Sequence, residues 1–474
     1  MNIIAKGGIA TTAAAGLAVL AAKSDSNISE NVSHPKTAVV IGGGIIGISS
    51  AFQLARRGVQ VTVLESKSEI SSVSSYKNGA ILCQSMAASW ASATVIAKNP
   101  GELKTMKVGM NAWLDPNFYR WAAWFWFNSL VPGRASYNHE SQRQLAWYSL
   151  QCMEKEIIDF GEDVEMNKTA VDTIKVFHDA DDMKEFLVSD QANFWKKKGH
   201  EFTPLSVEEC LAMEPTLAPP SEVSGEVDNH DMVGGVHCRV DSSGDIFTYT
   251  CNLARLATKF GVNLLCGRHV SMIEVDNGVV TGVTLDNGDH LTADVFVIAA
   301  GVASPALGRQ VGVNLPVYPL KGHMATVKPV EGRPVLTRNI YSPKHGLVSP
   351  LAPDNLRIAG MVEAVGYDHT VEPDKGRKVM EKMEGLFKAG YMDMEKAEYH
   401  SCLRPVCGDD VAIIGRTHLD NLYVNTGHGS KGWTFSWGSA TLLAQDIMGE
   451  ETGIDIQRFS PKRFHPIKQF LGQI

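Results

Sequence analysis

Two stretches of the chain place glycines where a phosphate-bearing ligand needs them. The first is VVIGGGIIGISS, residues 39–50, in which Gly42, Gly44 and Gly47 fill G-x-G-x-x-G. The first glycine of such a loop allows a tight turn, the second lets backbone approach a pyrophosphate, and the third lets helix pack close to strand. The helix that follows offers unsatisfied N–H groups and a partial positive charge to phosphates. Glu65 lies 23 residues beyond Gly42, at the end of the next apolar run. An acid there can accept from both hydroxyls of a ribose. The second stretch is VNTGHGSKGWT, residues 424–434, with the same order of strand-like lead-in, glycines and apolar helix. Taken alone it is a helix-entry turn. Paired with the first, it raises the question of one ligand held at two places.

These loops need particular elements to position them. Thr37 to Ile41 is predicted as a buried strand, Ile45 to Arg57 as a helix stopped by Gly58, and VQVTVLE as the next strand. Such a βαβ unit requires a parallel sheet covered on both faces. The motif stands at the start of the folded chain and a buried run, VFVIAAG, returns only at 295–301, a layout that suits FAD better than NAD. Asp245 is expected to cap a helix that ends at Gly261, and the Asn-Gly pairs at 277–278 and 287–288 to turn hairpins. Residues 235 onward read as a second βα signal of the same nucleotide-binding part. Residues 316–400 read as strands with one helix at 374–388, and the last 70 residues as two strands and a helix at 433–448.

Composition bounds the function. A chain of 474 residues exceeds one ordinary core. A net charge of −8 and a pI near 6.0, without a basic patch, argue against a nucleic-acid binder. The eight cysteines form neither C-x-x-C nor a paired metal spacing, so no metal site is expected. Residues 1–35 carry no acid before Asp25 and an uncharged, Ala/Gly/Thr-rich stretch at 7–22. The stretch is too weakly apolar for a spanning helix. It is expected to target the chain to an organelle, the mitochondrion foremost, or to anchor it at a membrane; the bland alternative is a disordered tail. WAAWFWF, residues 121–127, puts five aromatics in seven positions. It reads as a core helix wedged between domains, with docking on a membrane surface as the alternative.

Taken in order, VVIGGGIIGISSAFQLARRGVQVTVLE, SSYKNGA, GDIFTYTCNLARLA, VFVIAAG, PVYPLKGHMAT, LRIAGMVEAVGYD and the run from LRPVCGDD to LLAQDI carry a family resemblance. Over about residues 37–460 the chain resembles the FAD-dependent D-amino acid dehydrogenases of the small-subunit type, within the D-amino acid oxidase, glycine oxidase and sarcosine oxidase superfamily. The resemblance implies a mixed α/β and α+β fold: a Rossmann-like FAD-binding domain of the glutathione-reductase type (36–95, 235–312 and 402–474) interleaved with a mixed-sheet substrate domain (96–234 and 313–401). It implies FAD, held non-covalently, with its pyrophosphate on the first loop and its isoalloxazine O2 side on the second. Gly427, Gly429, Ser430, Lys431, Gly432, Trp433 and Thr434 would form that second cradle. Lys431 and the helix start would stabilise negative charge on the reduced ring. Ser74, Ser75 and Asn78 would also touch the cofactor, Val270 the adenine, and Ala300 and Gly301 the pyrophosphate.

The resemblance further implies that Arg404, in CLRPV, clamps the substrate carboxylate through its planar fork. YSPKHGLVSP is expected to make a hairpin over the flavin, with Tyr341 and His345 available to line it. His323 stands where relatives often carry Tyr, and Cys407, Gly408, Asp410 and Ala412 depart from the usual R-P-x-T-P-D-G-x-P pattern. Cys402 matches the flavin-linked cysteine of the sarcosine oxidase branch, but its flanking LRP belongs to the non-covalent branch. The implied activity is oxidation of D-amino acids to 2-oxo acids and ammonia, with electrons leaving to a quinone or another acceptor and a peripheral membrane contact. Two alternatives stay open: a secondary-amine oxidase acting on sarcosine, proline or dimethylglycine, and a flavin-binding assembly factor without turnover.

Overall fold

Strand Thr37–Ile41 is buried from Ala38 onward because it runs through the middle of a sheet. A strand covered on both faces needs no polar alternation. The computed structural model describes residues 34–92, 107–218, 232–352 and 354–464. Its six-stranded sheet runs in the order Ile413–Arg416, Leu422–Thr426, Val295–Ile298, Thr37–Ile41, Gln60–Glu65, Asn263–Cys266. Every neighbouring pair is parallel except the first, which is an antiparallel edge pair. Ile41, Glu65, Ile298 and Thr426 therefore end their strands on the same side, where doubly wound sheets take ligands.

The predicted helices follow. Ile45–Ala55 opens after Gly44, Asp245 caps Ile246–Lys259 by accepting from Phe247 and Thr248 N–H, and Gly432–Met448 follows the second loop. Strand Val270–Asp276 pairs with Val279–Leu285, and that strand with His290–Leu291, through the two Asn-Gly turns. A long helix runs from Arg134 to Phe160. Its first turns bury Asn138, Ser141 and Gln142, so apolar periodicity could not mark them.

The second sheet has nine strands. Its order is Glu398–Cys407, Val317–Val327, Asn355–Ala364, Gly346–Leu351, Asn339–Ser342, Thr173–Phe177, Gly234–Cys238, Thr203–Leu205, with Lys107–Val108 added beside Asn355–Ala364. Two boundaries of the expected domains are thereby crossed. Gly234–Cys238 joins this sheet rather than the nucleotide-binding one, and Glu398–Cys407 stays in it past residue 402. A short, fully buried strand says nothing in its own pattern about which sheet it enters. From Pro35 onward the chain is one compact unit. The expected targeting segment, residues 1–35, lies outside the described residues apart from its last two.

The aromatic run forms helix Pro116–Leu130, started by Asp115, whose side chain accepts from Asn117 N–H. Phe118, Trp121 and Phe125 pack with Tyr318 and Leu320 of the second sheet. That packing is the core-helix reading of the run, while Trp126 and Phe127 on the other side are 47% and 38% exposed. Among the described residues, no helix is long and apolar enough to cross a membrane.

Helices Ile45–Ala55 and Gly432–Met448 pack side by side, and one carboxyl ties them together. Glu156, on the helix Arg134–Phe160, accepts at Oε2 from Gln53 Nε2 (3.1 Å) and at Oε1 from Trp437 Nε1 (3.1 Å) and the Tyr249 hydroxyl (2.5 Å). Burial pushes this carboxyl up from 4.5 to about 7. Between those values the folded chain keeps a proton that the unfolded chain has lost. The contribution of Glu156 is thus fully present below pH 4.5 and shrinks as pH rises toward 7. The expected slope is about 1.4 kcal/mol per pH unit. Chemical unfolding of wild type and Glu156→Gln across this window should show wild type losing stability relative to the variant as pH rises; parallel curves would refute the assignment.

Candidate active site

A cavity of about 1770 Å³ lies where the carboxyl ends of the first sheet meet the inner face of the second. Ligand pockets for single small molecules are roughly 300–1,000 Å³, so this one has room for a dinucleotide and a second ligand. At one end, Gly42 and Gly44 line it together with Glu65. Gly42 has φ +120°, and a Cβ there would lie 2.5 Å from the Ala299 carbonyl oxygen. Gly47 does not face the cavity; a Cβ on it would run into the carbonyl oxygen of Gly42, so it is the packing glycine of the motif. Gly43, which the motif leaves free, also has a task. Its N–H donates to Glu65 Oε2 at 2.7 Å, and a Cβ would press on the Glu65 side chain at 2.9 Å. Glu65 Oε1 accepts from Lys67 N–H at 2.8 Å, which fixes the carboxylate facing the cavity.

The other expected cofactor residues gather on the same space. Ser75 Oγ accepts from Ile45 N–H at 3.0 Å, while Ser74 Oγ donates to the Leu403 carbonyl at 2.8 Å and so ties this segment to the strand of Arg404. Both serines line the cavity with Asn78, whose Oδ1 accepts from Ala80 N–H at 2.8 Å. Val270, Ala300 and Gly301 line it at the nucleotide end. Gly427, Gly429, Ser430, Gly432, Trp433 and Thr434 line it from the second loop, which turns through Gly429–Lys431 into the helix Gly432–Met448. Trp433 Nε1 is buried without a hydrogen-bond partner, and Thr434 Oγ1 accepts from Cys83 N–H at 3.1 Å.

Lys431 lines the cavity too, but not as the free cation the sequence suggests. Its ammonium lies 3.4 Å from Asp410 Oδ2, with both side chains buried. Asp410 also accepts from Trp90 N–H at 2.8 Å. Asp410 is one of the positions where the turn departs from the family pattern, and the departure supplies the counter-ion that neutralises Lys431.

On the substrate side the period of two decides which residues are available. Strand Val317–Val327 sends Leu320 and Met324 toward the cavity, leaving Gly322 between them, while Lys321 and His323 point the opposite way. His323 is therefore not a pocket residue. It is 1% exposed and hydrogen-bonds Glu363 at 3.0 Å within a network that includes Lys375, Glu372 and Lys321. Burial holds its imidazole below the usual range. His345 is also buried away from the cavity, with Nδ1 3.2 Å from Ser342 Oγ, because it sits in the turn of the expected hairpin Asn339–Ser342/Gly346–Leu351. Tyr341 does line the cavity, in a cross-strand row with Leu347, Ala359 and Met324.

Arg404 lies on strand Glu398–Cys407 opposite Leu320 and faces the cavity. Its Nη1 is buried with no hydrogen-bond partner, and among the described residues it has no salt bridge. Its guanidinium rests over Gly322, where any Cβ would occupy the same space. A buried Nη1 without a partner is costly unless a ligand supplies an acceptor. Cys402 lines the cavity as well, and burial raises its thiol above the usual range; a protonated thiol is a poor nucleophile, in keeping with a non-covalent cofactor.

Among the cavity residues that sequence reasoning did not single out are His428, inside the quoted loop, and Lys175, in a middle region without motifs. Only the spatial neighbours of each reveal it. Taken together, the phosphate-type glycine loop, the carboxylate at a strand end, and unpartnered Trp433 and Arg404 nitrogens fit an extended FAD with a carboxylate ligand beside its ring.

Comparison with known proteins agrees. Residues 37–446 match the family model described as FAD dependent oxidoreductase. The D-amino acid dehydrogenase of Paramagnetospirillum magneticum is 32% identical over 433 residues, covering 90% of this chain and 98% of that protein. That of Vibrio vulnificus is 29% identical over 431 residues, covering 89% and 99%. The crystal structure of glycine oxidase from Geobacillus kaustophilus superposes with a TM-score of 0.68 at 22% identity over 91% of this chain and 99% of that one. L-proline dehydrogenase from P. horikoshii superposes with a TM-score of 0.69 at 19% identity over 91% and 98%.

The contact between Arg404 and Gly322 makes a direct expectation. In Gly322→Ala the added methyl displaces the guanidinium, while the strand pairing on either side is kept. Small carboxylates titrated into the FAD-loaded protein should perturb the flavin spectrum with at least tenfold weaker affinity than in wild type, about 1.4 kcal/mol. Unchanged affinity would show that Arg404 does not meet the carboxylate.

Proposed function

The chain belongs to this family of FAD dependent oxidoreductases, and on that footing we propose that it oxidises D-amino acids to 2-oxo acids and ammonia. The observation that carries the reading is the unpartnered Arg404 guanidinium facing the cavity beside the second glycine loop. Relatives named D-amino acid dehydrogenase that align nearly end to end support the substrate class.

Arg404 takes the α-carboxylate through two parallel N–H bonds, which fixes both position and orientation. Leu347, Ala359, Met324 and Tyr341 give the side chain of the substrate a largely apolar wall and keep water from the reacting carbon. FAD, when bound, supplies the acceptor for a hydride from Cα. The protein's share is to hold Cα at that acceptor; such positioning can contribute several orders of magnitude in rate. The released imine hydrolyses in water to the 2-oxo acid and ammonia. A secondary amino acid would also satisfy Arg404, so substrate profiling separates the sarcosine or proline reading from this one.

The electrons leave to a quinone or a similar acceptor in this proposal. Trp113, Tyr119 and Trp126 both line the cavity and stand exposed, which supports a peripheral membrane contact at its mouth. Residues 1–35 would deliver the chain to an organelle, the mitochondrion foremost.

Anaerobic titration of the yellow protein with single D- and L-amino acids tests the reading. D-amino acids should bleach the flavin band, and Arg404→Met should raise the half-saturating concentration at least 100-fold, about 2.7 kcal/mol. Bleaching by sarcosine or L-proline alone would transfer the activity to the secondary-amine class. No bleaching by any amine would leave only the flavin-binding role.

A further inference from the structure

Within the second loop, the rings of His428 and Trp433 each bury a nitrogen without a partner, and of the two only the imidazole can both donate and accept. His428 is 4% exposed and lines the cavity. Its Nε2 is buried without a hydrogen-bond partner, and among the described residues no protein group bonds either ring nitrogen. His428 is fixed by its backbone, which forms a bridge to Val406, two residues along the strand from Arg404. Residues two apart on a strand are about 7 Å apart, so the imidazole stands where the carboxylate clamp meets the glycine loop. The other histidines lining the cavity, His269 and His369, are exposed and lie elsewhere on its rim. A buried imidazole without any partner costs free energy that a bound ligand must recover.

We infer that His428 is a neutral hydrogen-bonding partner of the bound flavin ring, and that the second loop tunes the ring through this imidazole rather than through Lys431. Two observations point the same way. Lys431 is already neutralised by Asp410, so the loop presents no free ammonium. His428 itself stays uncharged, since burial pushes its imidazole down to about 3. A weakly basic, neutral ring is poorly suited to the competing role of proton acceptor from the substrate. What a neutral imidazole can offer is one N–H donor and one lone pair, both directed by a rigid loop. A neutral donor stabilises charge on the reduced ring less than a cation would. Replacing it by an apolar group should therefore weaken FAD binding and disfavour the reduced state.

The inference rests on FAD binding by this family and is independent of the amino-acid substrate, so its readouts use none. FAD affinity is measured by flavin fluorescence, and the oxidised-to-reduced ratio is read against a reference dye under dithionite titration. In His428→Leu the affinity should fall at least tenfold and the ratio at a fixed dye poise should move about tenfold toward oxidised. His428→Asn, which keeps a donor, should recover most of both. Asp410→Asn/Lys431→Met should move the ratio less than His428→Leu. Equal shifts in the Leu and Asn variants, no shift in either, or a larger shift in the lysine–aspartate double variant would each overturn the inference. If the Leu variant does not fold, nitrogen-15 histidine spectra of the wild-type holoenzyme decide. The ring of His428 must be neutral and must shift when the flavin is reduced; a protonated or unmoved ring overturns the assignment.

Discussion

Two helices must present their N-termini to one space, a fixed distance apart, for an extended dinucleotide to be gripped twice. Ile45–Ala55 and Gly432–Met448 meet this demand by packing against each other along their length. Neither is capped by the side chain of its own N-cap residue, Gly44 in one and Lys431 in the other. Ser75 Oγ takes the Ile45 N–H of the first, and the N–H groups left over at a helix start favour an acceptor in the cavity. The sheet order makes the arrangement possible: Leu422–Thr426 lies beside Val295–Ile298, which lies beside Thr37–Ile41. Almost 400 residues of chain thus return to within two strand spacings. Glu156 adds a polar tie across the helices behind the loops, at a point where loss of one partner would leave a buried group unsatisfied.

The second sheet contributes by its pleat. Its two faces carry opposite chemistries within single strands. Toward the cavity go the apolar row of Met324, Ala359, Leu347 and Tyr341 and the lone guanidinium of Arg404 over Gly322. Away from it go Lys321 and His323, which meet Glu363, Glu372 and Lys375 under helix Pro373–Glu384. His323, Glu363 and Glu372 lie close enough to resemble a three-ligand metal cluster. Lys375, however, bonds both carboxylates, at 2.7 and 2.6 Å, and supplies the positive charge itself. The network is therefore an internal brace of the sheet.

Charge balance at the second loop shows how one local departure redirects a site. The turn that breaks the usual family pattern brings Asp410 against Lys431, and a buried ion pair of this kind is held by mutual neutralisation. The loop thus presents to the cavity its backbone, neutral side chains and a lysine already paired. Arg404 faces the cavity with Nη1 unpartnered, and Lys175 lines the same cavity beside the Tyr341 ring.

Sequence alone determined the parts whose rules are local. G-x-G-x-x-G after a buried strand fixed the first loop, Glu65 closed the βαβ unit, Asp245 announced its helix, and the Asn-Gly pairs announced their turns, because each depends on backbone geometry within a few residues. Family likeness added Arg404 and the second loop, which sit in the cavity as expected. Tertiary structure decided the rest. It took Gly234–Cys238 into the substrate sheet, since strand pairing is a long-range choice. It turned His323 away from the cavity, since facing depends on register as well as residue type. It showed Lys431 neutralised and His428 unpartnered, because whether a polar group is satisfied is a property of its neighbours in space and is written nowhere in the linear chain.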